Sequence, residues 1–299
     1  MREKVIAGTV IGVVILSIIF AAVYGNNGSP SRRTAAGGGK IAVIYLDGVM
    51  SASQSSDMWS SGSTGTNITS DLRKATNNPE IKAVVLRLNS PGGTPVAAQE
   101  IANEIDRLKD SGKVVVSSMG DTAASAAYWV AARTDIIVAN PGTLTGSIGV
   151  IMETPNLQKL FETLGVNMET IKSGPYKDIG SYSRPVTPEE RAILQSVVDD
   201  IFEQFIDAVA QGREMETEQV RQLADGRVFT GRQALEVGLV DQLGDLQDAV
   251  AIAGELAGID GEPVVVNYSS GSFWTSLIRG AMDNLIINGK STLYDYNIR

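Results

Sequence analysis

Between residues 41 and 139, short apolar runs rich in β-branched residues alternate with helical stretches, and this alternation restricts the fold more than any other feature. Ile41–Leu46, Ile81–Leu88, Lys113–Ser118 and Asp135–Ala139 read as strands; Asn67–Asn78 and an amphipathic stretch ending at Leu108 read as helices. Strands separated by helices are joined by crossovers rather than hairpins, so the pattern predicts βαβ units on a mostly parallel sheet. Residues 155–164 look helical and 167–171 extended. Past Lys177 the pattern turns helical. Thr187-Pro188-Glu189-Glu190 combines an N-cap, a proline at the first helical position and a glutamate at the third, a capping box that opens a helix to about Gln211. Shorter helices follow near 216–224, 231–237 and 245–257, then a strand at 263–267. The fold class is therefore α/β with a C-terminal helical region. The polar, Ser/Gly-rich residues 51–66 read as a loop.

Ser125 stands out within this frame. In Asp121-Thr-Ala-Ala-Ser125-Ala-Ala-Tyr-Trp-Val130 it sits among small residues, between an apolar strand and an Ala-rich segment that reads as a helix over 124–133. A serine at such a turn is a plausible seat for a nucleophile and for the oxyanion it generates, although the same composition suits a tightly packed core helix. Asn89-Ser-Pro-Gly92-Gly93 also follows a strand, and its glycines permit a turn that could direct N–H groups outward as an anion-binding nest. Thr145-Gly-Ser147-Ile-Gly149 is a Gly-rich connection. Lys172 and Lys177 flank a Ser-Gly-Pro-Tyr turn, with Asp178 beside them.

Two absences narrow the chemistry. The 299 residues include no histidine and no cysteine. A Ser-His-Asp triad, a histidine-ligated metal, a thiol nucleophile and a thiolate zinc site are all excluded. A nucleophilic serine here has only Lys, Asp, Glu or backbone groups to activate it, and the Ser-Lys arrangement fits. The net charge of −9 argues against nucleic-acid binding, because no basic stripe is present to neutralise phosphates.

The 20 residues Val5–Tyr24 carry no charge. As a helix they would extend about 30 Å, the thickness of a bilayer hydrocarbon core. The run exceeds the h-region of a cleavable signal peptide and lacks a small-x-small cleavage site, so an uncleaved anchor is expected. Arg2 and Lys4 place residues 1–4 in the cytoplasm, with Arg32 and Arg33 weakening the asymmetry. Residues 25–40 read as a flexible Gly/Ser-rich linker. Residues 41–299 form the extracytoplasmic domain, with 270–299 left unplaced.

These motifs together resemble the bacterial signal peptide peptidases of the SppA type, a Ser-Lys protease family, in its short form. The resemblance rests on Ser-Pro-Gly-Gly after a strand, Ser125 and Tyr128, Leu144-Thr-Gly-Ser147-Ile-Gly149, Lys172-Ser-Gly-Pro-Tyr-Lys177-Asp, and the run Gly226-Arg-Val-Phe-Thr-Gly-Arg through Asp241. It implies a crotonase-like/ClpP-like fold, with Ser125 as nucleophile, Lys177 as general base and Ser147 as the hydroxyl that orients the lysine. Gly93 and Ala126 match the backbone donors of the oxyanion hole. Glycines usual in the family after the nucleophile are replaced by Ala126 and Ala127. The resemblance further implies a serine endopeptidase that cleaves remnant signal peptides at the membrane, needs no cofactor or metal, and assembles as a ring of like subunits, eight in the short form. A lysine ordinarily titrates near ~10.4, so Lys177 as base is expected to be buried near Ser125 in the active enzyme. Whether it acts within one chain or between subunits stays open, and Lys172 is the weaker alternative. Two rival functions remain: an acyl-CoA enzyme of the same superfold, and a non-catalytic membrane scaffold.

Overall fold

A computed structural model describes residues 39–52 and 65–268. The expected anchor at 5–24, the linker but for its last two residues, most of the 51–66 loop and the 270–299 tail lie outside them. Among the described residues, no helix is long and apolar enough to cross a membrane.

The elements, in chain order, are β1 (Lys40–Asp47), α1 (Gly65–Asn77), β2 (Ile81–Ser90), α2 (Pro95–Asp110), β3 (Val114–Ala124), α3 (Ala126–Ala132), β4 (Ile136–Ala139), β5 (Leu144–Gly146) and α4 (Gln158–Thr163). They continue with α5 (Pro188–Arg213), α6 (Thr217–Leu223), β6 (Val228–Thr230), α7 (Gly231–Glu236), β7 (Gln242–Leu243), α8 (Leu246–Leu256) and β8 (Val264–Tyr268). One sheet runs β6-β5-β3-β2-β1-β8, with β4 pairing both β3 and β7. All these pairings are parallel except β5–β6. The mostly parallel α/β architecture and the helix-rich C-terminal half agree with the sequence reading.

Parallel strands covered on both faces must be apolar on both, which is why β1 and β2 read as nearly continuous hydrophobic runs. Ala42, Ile44 and Leu46 of β1 join the larger core with Ile101 and Ile105 of α2 and with the whole of α3. Ile41 and Val43 face the other way, onto Ala249, Val250 and Ala253 of α8. Each fully buried Val, Leu or Ile contributes about 1.5–3 kcal/mol, so the two faces lock the strand registers.

The structure departs from the sequence reading in four places. β3 extends to Ala124, six residues past the expected end, because its second half acquires a new partner: Val116–Met119 pair with β4, and Thr122–Ala124 pair with β5. Three strands of two or three residues, β5, β6 and β7, are too short to show a period. Residues 167–171 belong to no strand and are all exposed. The helix expected over 155–164 shortens to Gln158–Thr163, and none of its residues is buried.

Candidate active site

Ser125 caps the strand β3 and opens α3 within a single residue. Its backbone stands at φ 54°, ψ −126°. Such a conformation costs a non-glycine residue of order 1–3 kcal/mol and persists only where its surroundings fix it. Here they do. The Ser125 N–H donates to the Gly146 carbonyl at 2.8 Å, its carbonyl accepts from the N–H groups of Tyr128 (2.8 Å) and Trp129 (3.0 Å), and all seven residues of α3 are buried. The half-exposed hydroxyl makes no capping bond to the helix, so it stays free to face a ligand.

The Ser90–Thr94 turn meets this strained residue from the other side. Gly92 has φ +110°, and a Cβ there would lie 2.9 Å from Ser125 Cβ and 3.0 Å from the Ala126 nitrogen. Gly93 leaves no room either: a Cβ would fall 2.0 Å from the Met50 carbonyl oxygen. Hydrogen bonding in the turn is selective. The Gly92 N–H donates to Ser90 Oγ at 3.1 Å and the Thr94 N–H donates to the Met50 carbonyl at 3.0 Å. The Gly93 N–H between them has no partner among the described residues, and neither has that of Ala126. The turn therefore offers one free donor rather than a nest of several, and the second comes from across the chain. Thr94 then caps α2, accepting from the Ala97 N–H, which anchors the turn to the core.

Gly93, Ser125 and Ala126 line one cleft of about 240 Å³ together with Trp129, Ile151, Met152, Ile201 and Phe205. Trp129 and Phe205 stack with ring centroids 4.9 Å apart, forming an apolar wall beside the serine. These two aromatics went unremarked in the sequence as site residues. Trp129 follows Ser125 by one helical turn, a spacing that could have shown it, whereas only packing brings Phe205 there.

Ser147 arrives through β5. Ala124 pairs with Gly146, and Ser147 follows directly with φ 51° and its N–H on the Arg227 carbonyl at 2.9 Å. Among the described residues, three other than glycine have positive φ, and two of them are Ser125 and Ser147.

The lysine lies apart from this group. Lys177 is exposed, makes no side-chain hydrogen bond or ion pair among the described residues, and does not line the cleft at Ser125. The burial beside Ser125 expected of it is not formed within the single chain. The reason is local: from residue 149 to residue 189 no residue is buried, so the stretch that carries Lys177 is not packed into the core of its own chain. Lys172 differs. Its ammonium donates to Asp178 Oδ1 at 2.7 Å and to the Pro175 carbonyl at 3.0 Å. Asp178 is held well below the usual carboxylate range by Arg184 and then by Lys172. Among the described residues, no group of three or more acidic, histidine or cysteine side chains is placed to hold a metal ion.

With this geometry in view, the comparisons with known proteins decide the assignment. The model of Peptidase family S49 matches residues 107–260, which include Ser125, Ser147 and Lys177. The chain belongs to peptidase family S49. Among the S49-like relatives, a Synechocystis protein named as a protease is 48% identical over 64% of this chain and 69% of its own length. Protease 4 of Salmonella typhi is 39% identical over 74% of this chain, a match spanning 35% of that longer protein. An Enterococcus faecium protein assigned by name as a signal peptide peptidase, SppA, is 34% identical over 83% of this chain and 79% of its own length. Membership in a peptidase family makes peptides the substrates.

Proposed function

We propose that this chain is a membrane-anchored serine endopeptidase on the crotonase-like/ClpP-like plan that cleaves remnant signal peptides through an acyl-enzyme. Ser125 attacks the scissile carbonyl, and the N–H groups of Gly93 and Ala126 receive the oxyanion. Lys177 takes the serine proton, passes it to the leaving amine, and then activates water. Ser147 orients the neutral amine. The observation that carries this reading is the Ser125 hydroxyl at a strained turn, free of any helix-capping bond and flanked by two N–H groups that have no partner among the described residues, in an apolar cleft. The Trp129–Phe205 wall favours hydrophobic side chains next to the scissile bond, which remnant signal peptides supply.

Lys177 is preferred to Lys172 as the base because the Lys172 ammonium is engaged by Asp178 at 2.7 Å, whereas Lys177 has no ion-pair partner among the described residues. We further propose that Lys177 enters the site of a neighbouring copy in a ring. The unburied segment 149–189 supports this, with Ile151 86% and Ile171 94% exposed. Apolar surface of that kind belongs against a partner. Contact with that partner would also desolvate Lys177 and lower its affinity for a proton.

The test mixes two variants of the full chain in detergent. Ser125→Ala and Lys177→Ala are each expected to be inert on a hydrophobic peptide amide. Co-assembled one to one, they should regain about a quarter of the sites, because a head-to-tail ring can pair an intact serine with a neighbour's intact lysine. Absence of recovery would place the lysine in its own chain's site. Full activity of Lys177→Ala would remove it as the base.

A further inference from the structure

Arg184 occupies the hinge between the Lys177 turn and α5. Its Nε donates to Asp178 Oδ2 at 3.0 Å and its Nη2 to Asp178 Oδ1 at 2.8 Å, a bidentate grip on the residue next to Lys177. The other edge of the same guanidinium reaches Glu190, with Nη1 on Oε2 at 2.8 Å and Nη2 on Oε1 at 2.6 Å. Glu190 is buried at the first turn of α5 and accepts from the Thr187 N–H at 3.0 Å, while its own N–H donates to Thr187 Oγ1 at 3.2 Å. Lys172 closes the turn from its far side through Asp178 and the Pro175 carbonyl. After 41 residues' length of chain with nothing buried, Glu190 is the first point where the segment is tied to a buried group.

We infer that Arg184 is a positioning residue for Lys177: by joining Asp178 to the capped end of α5, it fixes where and at what angle the lysine turn leaves the body. This inference rests on Lys177 being the general base. Among the described residues, the network leaves Lys177 as the one cation of the turn without a partner, whereas Lys172, Asp178, Arg184 and Glu190 neutralise one another. A planar guanidinium suits the task because it can hold two carboxylates bidentately at once, which an ammonium cannot. Arg184 holds Glu190 at about 2 and Asp178 well below the usual carboxylate range, so both stay ionised at any pH where a peptidase of this kind would work. Neither carboxylate of the clamp therefore changes charge in that range.

The experiment measures kcat and KM against pH on a hydrophobic peptide amide, using the full chain with Arg184→Gln, Asp178→Asn or Arg184→Lys. Oligomeric size and melting temperature are followed alongside. Arg184→Gln and Asp178→Asn are expected to lower kcat at least about tenfold with KM within about twofold. Arg184→Lys should recover part of the loss. The same changes are then placed in Lys177→Ala and read as the rate at which a fluorophosphonate modifies Ser125, measurable over long incubation when turnover is not. No further loss is expected there. Unchanged kcat in both variants, or an equal loss in the Lys177→Ala background, would overturn the positioning role. Should Arg184→Gln fail to assemble, the isosteric Asp178→Asn decides by the same criteria. Full activity of Lys177→Ala alone would instead sink the base assignment, and that failure is visible without any change at Arg184.

Discussion

The body around Ser125 and the segment from 149 to 189 follow opposite rules. Around Ser125 everything is closed: the seven residues of α3 are buried, Gly92 and Gly93 pack where no Cβ fits, and the backbone is strained and fixed. In the 149–189 segment nothing is buried, apolar side chains face outward, and an ion-pair network at its end stands in for a core. The proposed nucleophile and oxyanion donors are thus pre-organised inside one chain. The proposed base is not. In the proposed reading, a site divided in this way holds half of its machinery ready and takes the other half from contact with a partner.

The sharpest way to break this comparison is at its centre. Ser125→Ala should lower turnover by more than about a thousandfold while leaving the melting temperature unchanged or higher, since it removes the proposed nucleophile without disturbing packing. Gly93→Ala comes next. Displacement of its N–H by the Met50 carbonyl should lower kcat about a hundredfold, the scale of losing one oxyanion donor. An equal effect from Gly112→Ala, where a Cβ meets nothing within 4 Å, would argue for general strain instead. On the segment side, Ile171→Asp should weaken self-association in sedimentation but shift the melting temperature little, because the residue touches no core. A large drop in melting temperature would mean that the segment packs on its own body after all.

Acid should loosen the two regions in different order. Asp178 and Glu190 titrate lower when folded than when unfolded, where carboxylates lie near ~4. Their pairing with Arg184 is therefore complete above about pH 5 and is lost as the pH falls toward 2. Limited proteolysis between pH 5 and 3 should cut near residues 172–186 before the Ser125 body opens. The smallest effect lies in the sheet. Ser117 Oγ is buried without a hydrogen-bond partner among the described residues, so Ser117→Ala should leave stability to urea unchanged or raise it by about 1 kcal/mol. A loss of that size would reveal a partner for the hydroxyl.

Much of this was legible before the structure. The alternation of runs such as Ile41–Leu46 and Ile81–Leu88 dictates crossover connections and hence a parallel sheet, because helical spacers forbid hairpins. The capping box at Thr187 is written in four consecutive residues and appears as expected. Absence of histidine and cysteine left lysine or a carboxylate as activator of any serine, and composition needs no fold to say so. Ser125, Ser147 and the Ser90–Gly93 turn could be singled out by local residue types. What tertiary structure decided is how these parts meet. The extension of β3 to Ala124 depends on a strand twenty residues later, Leu144–Gly146, too short to have a period of its own. Phe205 reaches Trp129 only by the packing of α5 on α3. The exposure of Lys177 depends on what covers residues 149–189, a fact about surfaces that no pattern along one chain encodes. Sequence records the periodicity and chemistry of each segment; the distances between segments exist only once the core has chosen its packing.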